Sequence, residues 1–189
     1  MAASPGRPND GDDKRAKLLA AALTLFTARP YGAVSTRQIA ARAGVNASLI
    51  RYYFLDKAGL FETMVLETLA PLLRSLQQAR SDGHIDPAQF LALYYRVMQP
   101  NPDLPKLLVR SLWDPASVEY QILAPVFSQF VSVALPMLQQ ALAAPAVLQP
   151  DVDPAAARLA LMSLAIFPFL APPLLLQLVQ LPLQPAPLQ

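Results

Sequence analysis

Arg51 carries the side chain in this sequence that is best suited to recognising a nucleic-acid base. A guanidinium group can bridge O6 and N7 of guanine in the major groove. Asn46, Ala47 and Ser48 lie three to five positions before it, at the start of a short helical pattern. The amino-terminal part of such a helix is the part that usually enters a major groove. We therefore predict base contacts from these four residues, with a solvated arginine or a phosphate contact as the alternative for Arg51.

Two short helices around a glycine turn must position these side chains. Ser35 begins the first helix, and Gln38 three positions later completes the sequence pattern of a capping box. Gly44 follows the last helical position, where a left-handed backbone is favoured. Asn46 is expected to cap the second helix. The spacing of apolar residues predicts the inward-facing positions Ile39, Ala40, Ala43, Ile50, Tyr53 and Phe54.

Residues 14–64 resemble the amino-terminal domain of the TetR family of bacterial transcriptional regulators. The matching segments are KLLAAALTLF, VSTRQIAARAGV and LIRYYFLDKAGLF. The last segment contains the family pattern of two aromatic residues, phenylalanine, two variable positions and lysine. Two positions depart from the family, because Pro30 and Leu55 stand where many members have glycine.

This resemblance implies further DNA contacts. The position of Arg37 reaches phosphate or guanine in the family, so Arg37 joins the predicted base contacts. Core packing competes with a phosphate contact for Tyr53, which also lies on the inner face of its helix. Family positions and the chemistry of hydroxyl and ammonium groups predict phosphate contacts from Thr36, Tyr52, Tyr53 and Lys57.

The charge of the chain is uneven along its length. Residues 1–60 contain nine Lys/Arg and four Asp/Glu, whereas residues 61–189 contain six and nine. A basic segment joined to an acidic one suits nucleic-acid contact at one end. The sequence contains no cysteine, which excludes disulfides and zinc–thiolate sites and is consistent with a reducing, cytoplasmic location.

The apolar spacing predicts an all-α fold of about nine helices and no strand. We predict a disordered arm over residues 1–12, a helix-turn-helix domain over 13–58, a larger helical domain over 59–183 and a proline-rich tail over 184–189. The first helix is expected to start at Asp13. Three Asp-Pro pairs mark later helix starts, since aspartate caps and proline fits the first helical position. The later helices are predicted at 87–99, 104–112, 115–143, 154–170 and 172–181.

The family resemblance also implies an effector pocket in the larger domain. Plain core packing is the alternative for the aromatic residues concerned. Because the available side chains are mostly apolar, we expect a hydrophobic or aromatic small molecule as the effector. The predicted pocket residues are Tyr94, Tyr95, Met98, Arg110, Trp113, Phe127 and Phe130.

The sequence from residue 159 to residue 189 contains no charged residue. Residues 159–176 are long enough for a membrane span, but three prolines interrupt them and no basic anchor follows. The resemblance implies instead that the last two helices form a homodimer interface. The predicted interface residues are Leu159, Met162, Ile166, Phe169, Leu174 and Leu178.

Two other functional classes remain open from the sequence. A membrane-associated helical interaction protein would use the uncharged segment, and an all-helical enzyme would need a catalytic constellation. Asp151 and Asp153 are better explained as helix caps than as paired catalytic carboxylates, and the single histidine, His84, is expected in a solvated loop. We therefore predict a ligand-responsive DNA-binding repressor that acts as a homodimer, with no metal, cofactor or enzymatic activity.

Overall fold

The computed structural model describes residues 10–81, 86–143 and 152–178. Nine α-helices and one short 3-10 helix make up this part of the chain, which contains no strand, so the all-α prediction is confirmed. The helices are α1 Asp10–Ala28, α2 Thr36–Ala43, α3 Ser48–Phe54, α4 Lys57–Ser81, α5 Pro87–Met98, α6 Leu104–Ser111, α7 Val118–Ala143, α8 Pro154–Leu170 and α9 Pro173–Leu178; the 3-10 helix is Tyr31–Ala33.

The chain divides into two compact units between Thr68 and Leu69, inside α4. The predicted boundary at residue 58 lies in the first turn of α4, about ten residues before this division. The first turns of α4 belong to the amino-terminal unit because they supply part of its core. Phe61 on α4 is fully buried, and its ring lies 4.7 Å from that of Phe26 on α1.

The first helix begins earlier than predicted. It starts at Asp10, so the expected disordered arm is wrong for residues 10–12, and residues 1–9 lie outside the described part. Carboxylates at the start of α1 interact favourably with the helix dipole. A tertiary contact also holds this turn, because the hydroxyl of Tyr53 donates a hydrogen bond to the carbonyl of Gly11 at 3.0 Å.

Two of the three Asp-Pro predictions for the carboxy-terminal unit are confirmed. Asp86 accepts from the backbone N–H of Gln89 at 2.8 Å, within a complete capping box. Asp153 accepts from two N–H groups in the first turn of α8.

The third Asp-Pro prediction is wrong by three residues. Asp114 closes a turn by accepting from the N–H of Ala116, and α7 begins only at Val118. Ser117 caps this helix by accepting from the N–H of Tyr120 at 3.1 Å. His84 and Asp151 both lie outside the described residues, as does the predicted tail 184–189.

In the carboxy-terminal unit, α5 and α7 pack against α8, and α6 contacts both α7 and α8. The uncharged segment is not one continuous helix. It breaks at Ala171, which has an extended backbone between α8 and α9. Among the described residues, Val118–Leu142 is the stretch long and apolar enough to cross a membrane, and Leu123, Met137 and Leu138 within it are buried in the unit's core.

Pro168 leaves one carbonyl of α8 without its usual helical partner. A proline has no N–H, so the carbonyl four residues earlier, that of Leu164, loses its intrahelical donor. The hydroxyl of Tyr95 on α5 donates to this oxygen at 2.5 Å. The interaction therefore satisfies the broken helix and ties α8 to α5.

Candidate nucleic-acid interface

The first helix of the predicted pair has the local structure that its sequence indicates. Gln38 N–H donates to Ser35 Oγ at 3.2 Å, and Ser35 N–H donates to Gln38 Oε1 at 2.8 Å. Val34 and Ile39 on either side of this cap are both buried. Gly44 ends the helix with φ 66° and ψ 32°, in the left-handed region that favours glycine.

The second helix, α3, starts at Ser48, and the side chain of Asn46 accepts from its N–H at 2.8 Å. Ile50 and Phe54 point inward and are buried. The helix therefore turns its polar residues outward. We define the α2–α3 face by its exposed residues Arg37, Asn46, Ser48, Arg51 and Tyr52; of the remaining predicted contacts, Ala47, Thr36, Tyr53 and Lys57 are half-buried.

Tyr52 and Tyr53 are adjacent but have different surroundings. Tyr52 is 78% exposed, and its hydroxyl can reach a partner outside the chain. The only hydroxyl hydrogen of Tyr53 is used in the bond to Gly11 that fixes α1 to α3. Within the amino-terminal unit, Tyr53 thus positions α3 against α1.

Lys57 lies inside the amino-terminal unit rather than extending from it. Its ammonium donates to the carbonyls of Tyr31 and Val34 at 3.1 and 3.0 Å, and it lies 3.9 Å from the centroid of the Tyr31 ring. These carbonyls precede α2, so Lys57 joins the start of α4 to the start of α2. Two of its three N–H groups are occupied, which leaves one for a further acceptor.

The turn between α3 and α4 is strained at Leu55. This residue has φ 74° and ψ −55°, and Asp56 N–H donates to the carbonyl of Phe54 at 2.9 Å across it. That combination is a γ-turn with positive φ, a rare and strained conformation for a residue with a Cβ. Asp56 then caps α4 by accepting from the N–H of Gly59 at 2.9 Å.

Gly59 is required by a close approach of the backbone. A Cβ at this position would lie 2.1 Å from the carbonyl oxygen of Phe54. Because that atom belongs to the backbone at the end of α3, it cannot move aside without shifting this helix. The α3–α4 turn therefore fixes the orientation of the α2–α3 face.

Replacing Leu55 with glycine is expected to stabilise the protein by about 1 kcal/mol. The side chain is 76% exposed, so little packing is lost, and glycine adopts positive φ without strain. Urea denaturation followed by circular dichroism measures the change. A lower stability in Leu55→Gly would show that the leucine side chain contributes more than its backbone strain costs.

Arg15 provides another clamp, one that sequence reasoning did not identify. It donates from both terminal nitrogens to the carboxylate of Glu67 on α4, and its guanidinium carbon lies 5.4 Å from the centroid of the Phe54 ring. The hydrogen bond to Glu67 raises the pKa of Arg15, while partial burial opposes the rise. One side chain thus links α1, α3 and α4. The 52 residues between Arg15 and Glu67 explain why no local pattern indicates the pair.

The carboxy-terminal unit contains a cavity of about 100 Å³ between α5, α7 and α8. Three predicted pocket residues, Tyr94, Phe127 and Phe130, line it. Four others do not line this cavity: Trp113 is 82% exposed, Arg110 is exposed on α6, Met98 is buried, and Tyr95 binds Leu164. The lining residues are Phe90, Tyr94, Phe127, Phe130, Val131, Ala134, Leu135, Leu138, Met162, Ala165 and Ile166.

The predicted dimer residues fall into two groups. Leu159, Leu174 and Leu178 are exposed. The other three lie toward the interior of the unit in the single chain. Met162 and Ile166 line the cavity, and Phe169 is buried with its ring centroid 6.0 Å from that of Tyr94.

Clusters typical of metal sites are absent from the described residues, where no three His, Cys, Asp or Glu side chains gather. Asp153 was considered together with Asp151 as a possible pair of catalytic carboxylates. Its carboxylate caps α8. Two features of the described residues can therefore bind a partner: the exposed α2–α3 face and the apolar cavity.

Comparison with known proteins gives matches to the amino-terminal unit. Residues 18–64 match the family described as bacterial regulatory proteins, tetR family. A Bacillus subtilis protein named probable HTH-type transcriptional regulator YttP is 36% identical over 66 residues. That alignment covers 35% of this chain and 32% of the B. subtilis protein, so it spans about a third of either.

Solved structures extend the similarity of fold to most of the chain. NalD, the secondary repressor of the MexAB-OprM multidrug efflux pump in Pseudomonas aeruginosa, superposes with a TM-score of 0.63 at 22% identity. The superposition covers 85% of this chain and 84% of NalD. HlyIIR, a hemolysin II transcriptional regulator, gives a TM-score of 0.64 at 20% identity, covering 90% of this chain and 95% of HlyIIR.

Proposed function

We propose that this chain, which belongs to the TetR family of bacterial regulatory proteins through its amino-terminal unit, is a ligand-responsive repressor of transcription. The observation that carries the proposal is the exposed α2–α3 face. Contacts made by Arg15, Tyr53 and Lys57 within the amino-terminal unit hold it in place. Its residues are arginine, serine, asparagine and tyrosine, the types that bind base edges and phosphates. A preformed face of this kind loses little conformational freedom on binding.

Base contacts are assigned to four residues of the α2–α3 face and to Ala47 beside it; the four are Arg37, Asn46, Ser48 and Arg51. Arg51 lies in the middle of α3 with its side chain exposed, where it can bridge a guanine. Arg37 near the start of α2 reaches the groove edge. Asn46 and Ser48 lie at the amino-terminal end of α3, although the Asn46 oxygen already accepts from Ser48 N–H.

Phosphate contacts are assigned to Thr36, Tyr52 and Lys57, and the assignment of Tyr53 changes. Tyr52 is fully available, whereas Lys57 has one N–H left after binding its two carbonyls. Tyr53 acts through its bond to Gly11 and positions α3. The phosphate contacts supply most of the affinity, which should fall steeply with salt.

A homodimer is proposed to place two α3 helices in successive major grooves, about 34 Å apart, on a near-palindromic operator. Its interface would use the exposed apolar residues of α8 and α9. These are distinct from the residues on the cavity side of α8, so one helix serves both the ligand site and the dimer. The exposed residues are Leu159, Leu164, Phe167, Leu174 and Leu178.

The cavity is the proposed effector site, and an apolar small molecule bound there releases the operator. Release requires the ligand to bind the DNA-free form more tightly than the DNA-bound form. NalD is named as a repressor, and this supports repression as the outcome of DNA binding here. We propose a cytoplasmic protein without enzymatic activity, since the matching family and the similar solved structures are those of transcriptional regulators.

Replacing Arg51 with alanine is expected to weaken binding to a selected operator by about 1–3 kcal/mol for each half-site and to relax preference at one base pair in each half-site. The measurement is a gel shift on wild-type-selected DNA and on variants at each position. Arg74→Ala is the matched control, because Arg74 is an exposed arginine on α4 in the carboxy-terminal unit.

The control should bind as the wild-type protein does. Equal affinity and unchanged sequence preference for Arg51→Ala would remove Arg51 from the base contacts. Loss of binding by both arginine variants to the same extent would indicate a diffuse charge effect rather than the α2–α3 face.

A further inference from the structure

The cavity between α5, α7 and α8 has an unusually uniform lining. Of its eleven described lining residues, ten have purely apolar side chains, and none is charged. Tyr94 supplies the remaining one, and burial raises the pKa of its phenol. The phenol therefore stays neutral at physiological pH. Nothing in the described lining can balance the charge of a buried ion.

We propose that this cavity binds an uncharged effector of the size of a single aromatic ring or a short alkyl chain, and excludes charged molecules. This inference rests on the proposed function and narrows the ligand class. Burying an ionised group without a partner costs far more than burying an apolar one gains. A cavity of roughly 150 Å³ in another protein holds benzene, so about 100 Å³ suits a group no larger than one ring.

Two alanines create the space. Ala134 on α7 and Ala165 on α8 both line the cavity and are both buried, with exposed fractions of 5% and 3%. A longer side chain at either position would occupy volume that is now empty. Met162 also lines the cavity, and its flexible thioether lets the wall adapt to the ligand.

Aromatic side chains of the cavity wall favour an aromatic ligand. Phe127 and Phe130 on α7 have ring centroids 6.4 Å apart, and Tyr94 packs against Phe169 at 6.0 Å. Aromatic rings prefer edge-to-face and offset partners at these separations. An aromatic ligand ring would therefore find favourable neighbours in the wall.

Three probes of matched size separate charge from shape: toluene, benzoate and benzylammonium. Toluene at about ten times its Kd is expected to raise the Tm of the full chain by roughly 3–6 °C. Benzoate and benzylammonium at the same concentration should leave the Tm unchanged. A comparable shift with either ion, or none with toluene, would overturn the inference.

Substitutions at the alanines then locate the site. Ala165→Leu and Ala134→Leu should each weaken toluene binding at least about tenfold by filling the cavity. Ala92→Leu adds the same side chain to an exposed position of α5 and should change nothing. Met162→Ala enlarges the cavity and should tighten the binding of naphthalene, which keeps the test decisive if a leucine variant folds poorly.

If toluene affinity is unchanged in folded Ala165→Leu and Ala134→Leu, toluene does not bind in this cavity and the inference is overturned. DNA binding is measured on the same samples. Operator binding without any toluene shift rejects this inference alone. A toluene shift without binding to any duplex rejects the proposed function and leaves the cavity as a hydrocarbon site.

Discussion

Replacing Gly59 with alanine is expected to lower the free energy of unfolding by about 3 kcal/mol or more and to abolish operator binding. The added Cβ would meet the Phe54 carbonyl oxygen at 2.1 Å. That oxygen already accepts from Asp56 N–H in the strained turn, so relief requires displacing the end of α3. Urea denaturation and gel shifts measure the two effects.

Gly32→Ala is the matched control. A Cβ at Gly32 would have no atom within 4 Å, and the residue is exposed in the 3-10 helix. Its stability should stay within about 0.5 kcal/mol of the wild-type value. A Gly59→Ala protein that is as stable as Gly32→Ala and binds the operator normally would contradict the role assigned to the α3–α4 turn.

Replacing Lys57 with methionine is expected to cost about 2–3 kcal/mol of stability. The change keeps an unbranched side chain, one atom shorter, but removes two charge-assisted hydrogen bonds and the contact with the Tyr31 ring. The start of α2 then loses its connection to α4. Chemical denaturation measures this loss, and Lys17→Met provides a comparison because Lys17 pairs with Asp13 on an exposed turn of α1.

The salt dependence of DNA binding separates the two roles of Lys57. If its remaining N–H contacts a phosphate, the slope of log K against log salt should fall by about one for each protomer of the homodimer in Lys57→Met. If Lys57 acts only by positioning α2, affinity should fall with the slope unchanged. Wild-type stability in Lys57→Met would contradict the clamp, whatever the slope.

Local patterns allowed the helix-turn-helix to be predicted almost residue by residue. A capping box, a left-handed glycine and an i, i+3, i+4 apolar face each involve residues within one turn of the chain. Ser35, Gly44 and Ile50 therefore adopt the predicted conformations. The start of α7 was predicted wrongly. Asp114 was expected to cap this helix, but Ser117, three residues later, caps it instead.

Contacts between distant residues were not predictable in this way. Lys57 in the first turn of α4 is unfavourable for the helix dipole. Its ammonium donates to two backbone carbonyls that precede α2, and the sequence around Lys57 does not indicate these partners. The Arg15–Glu67 clamp and the Tyr53–Gly11 bond likewise depend on how α1, α3 and α4 pack, which spacing along the chain does not specify.

Residues 159–170 of α8 carry no charged side chain, so the sequence did not distinguish the cavity side of this helix from its exposed side. A helix that is apolar on all sides has no polar face to indicate which side is buried. Met162 and Ile166 line the cavity while Leu159 is exposed, yet all three have the same chemical character. Only the positions of α5 and α7 distinguish them.

Selection of DNA from a random duplex pool at low salt tests the central claim most directly. The α2–α3 face, doubled in a homodimer, predicts enrichment of a near-palindrome whose half-sites lie about one helical turn apart. Arg51→Ala should broaden one position of each half-site, while Arg74→Ala should enrich the wild-type sequence. Recovery of unenriched DNA, or no retention of any duplex by the folded protein, would contradict the account.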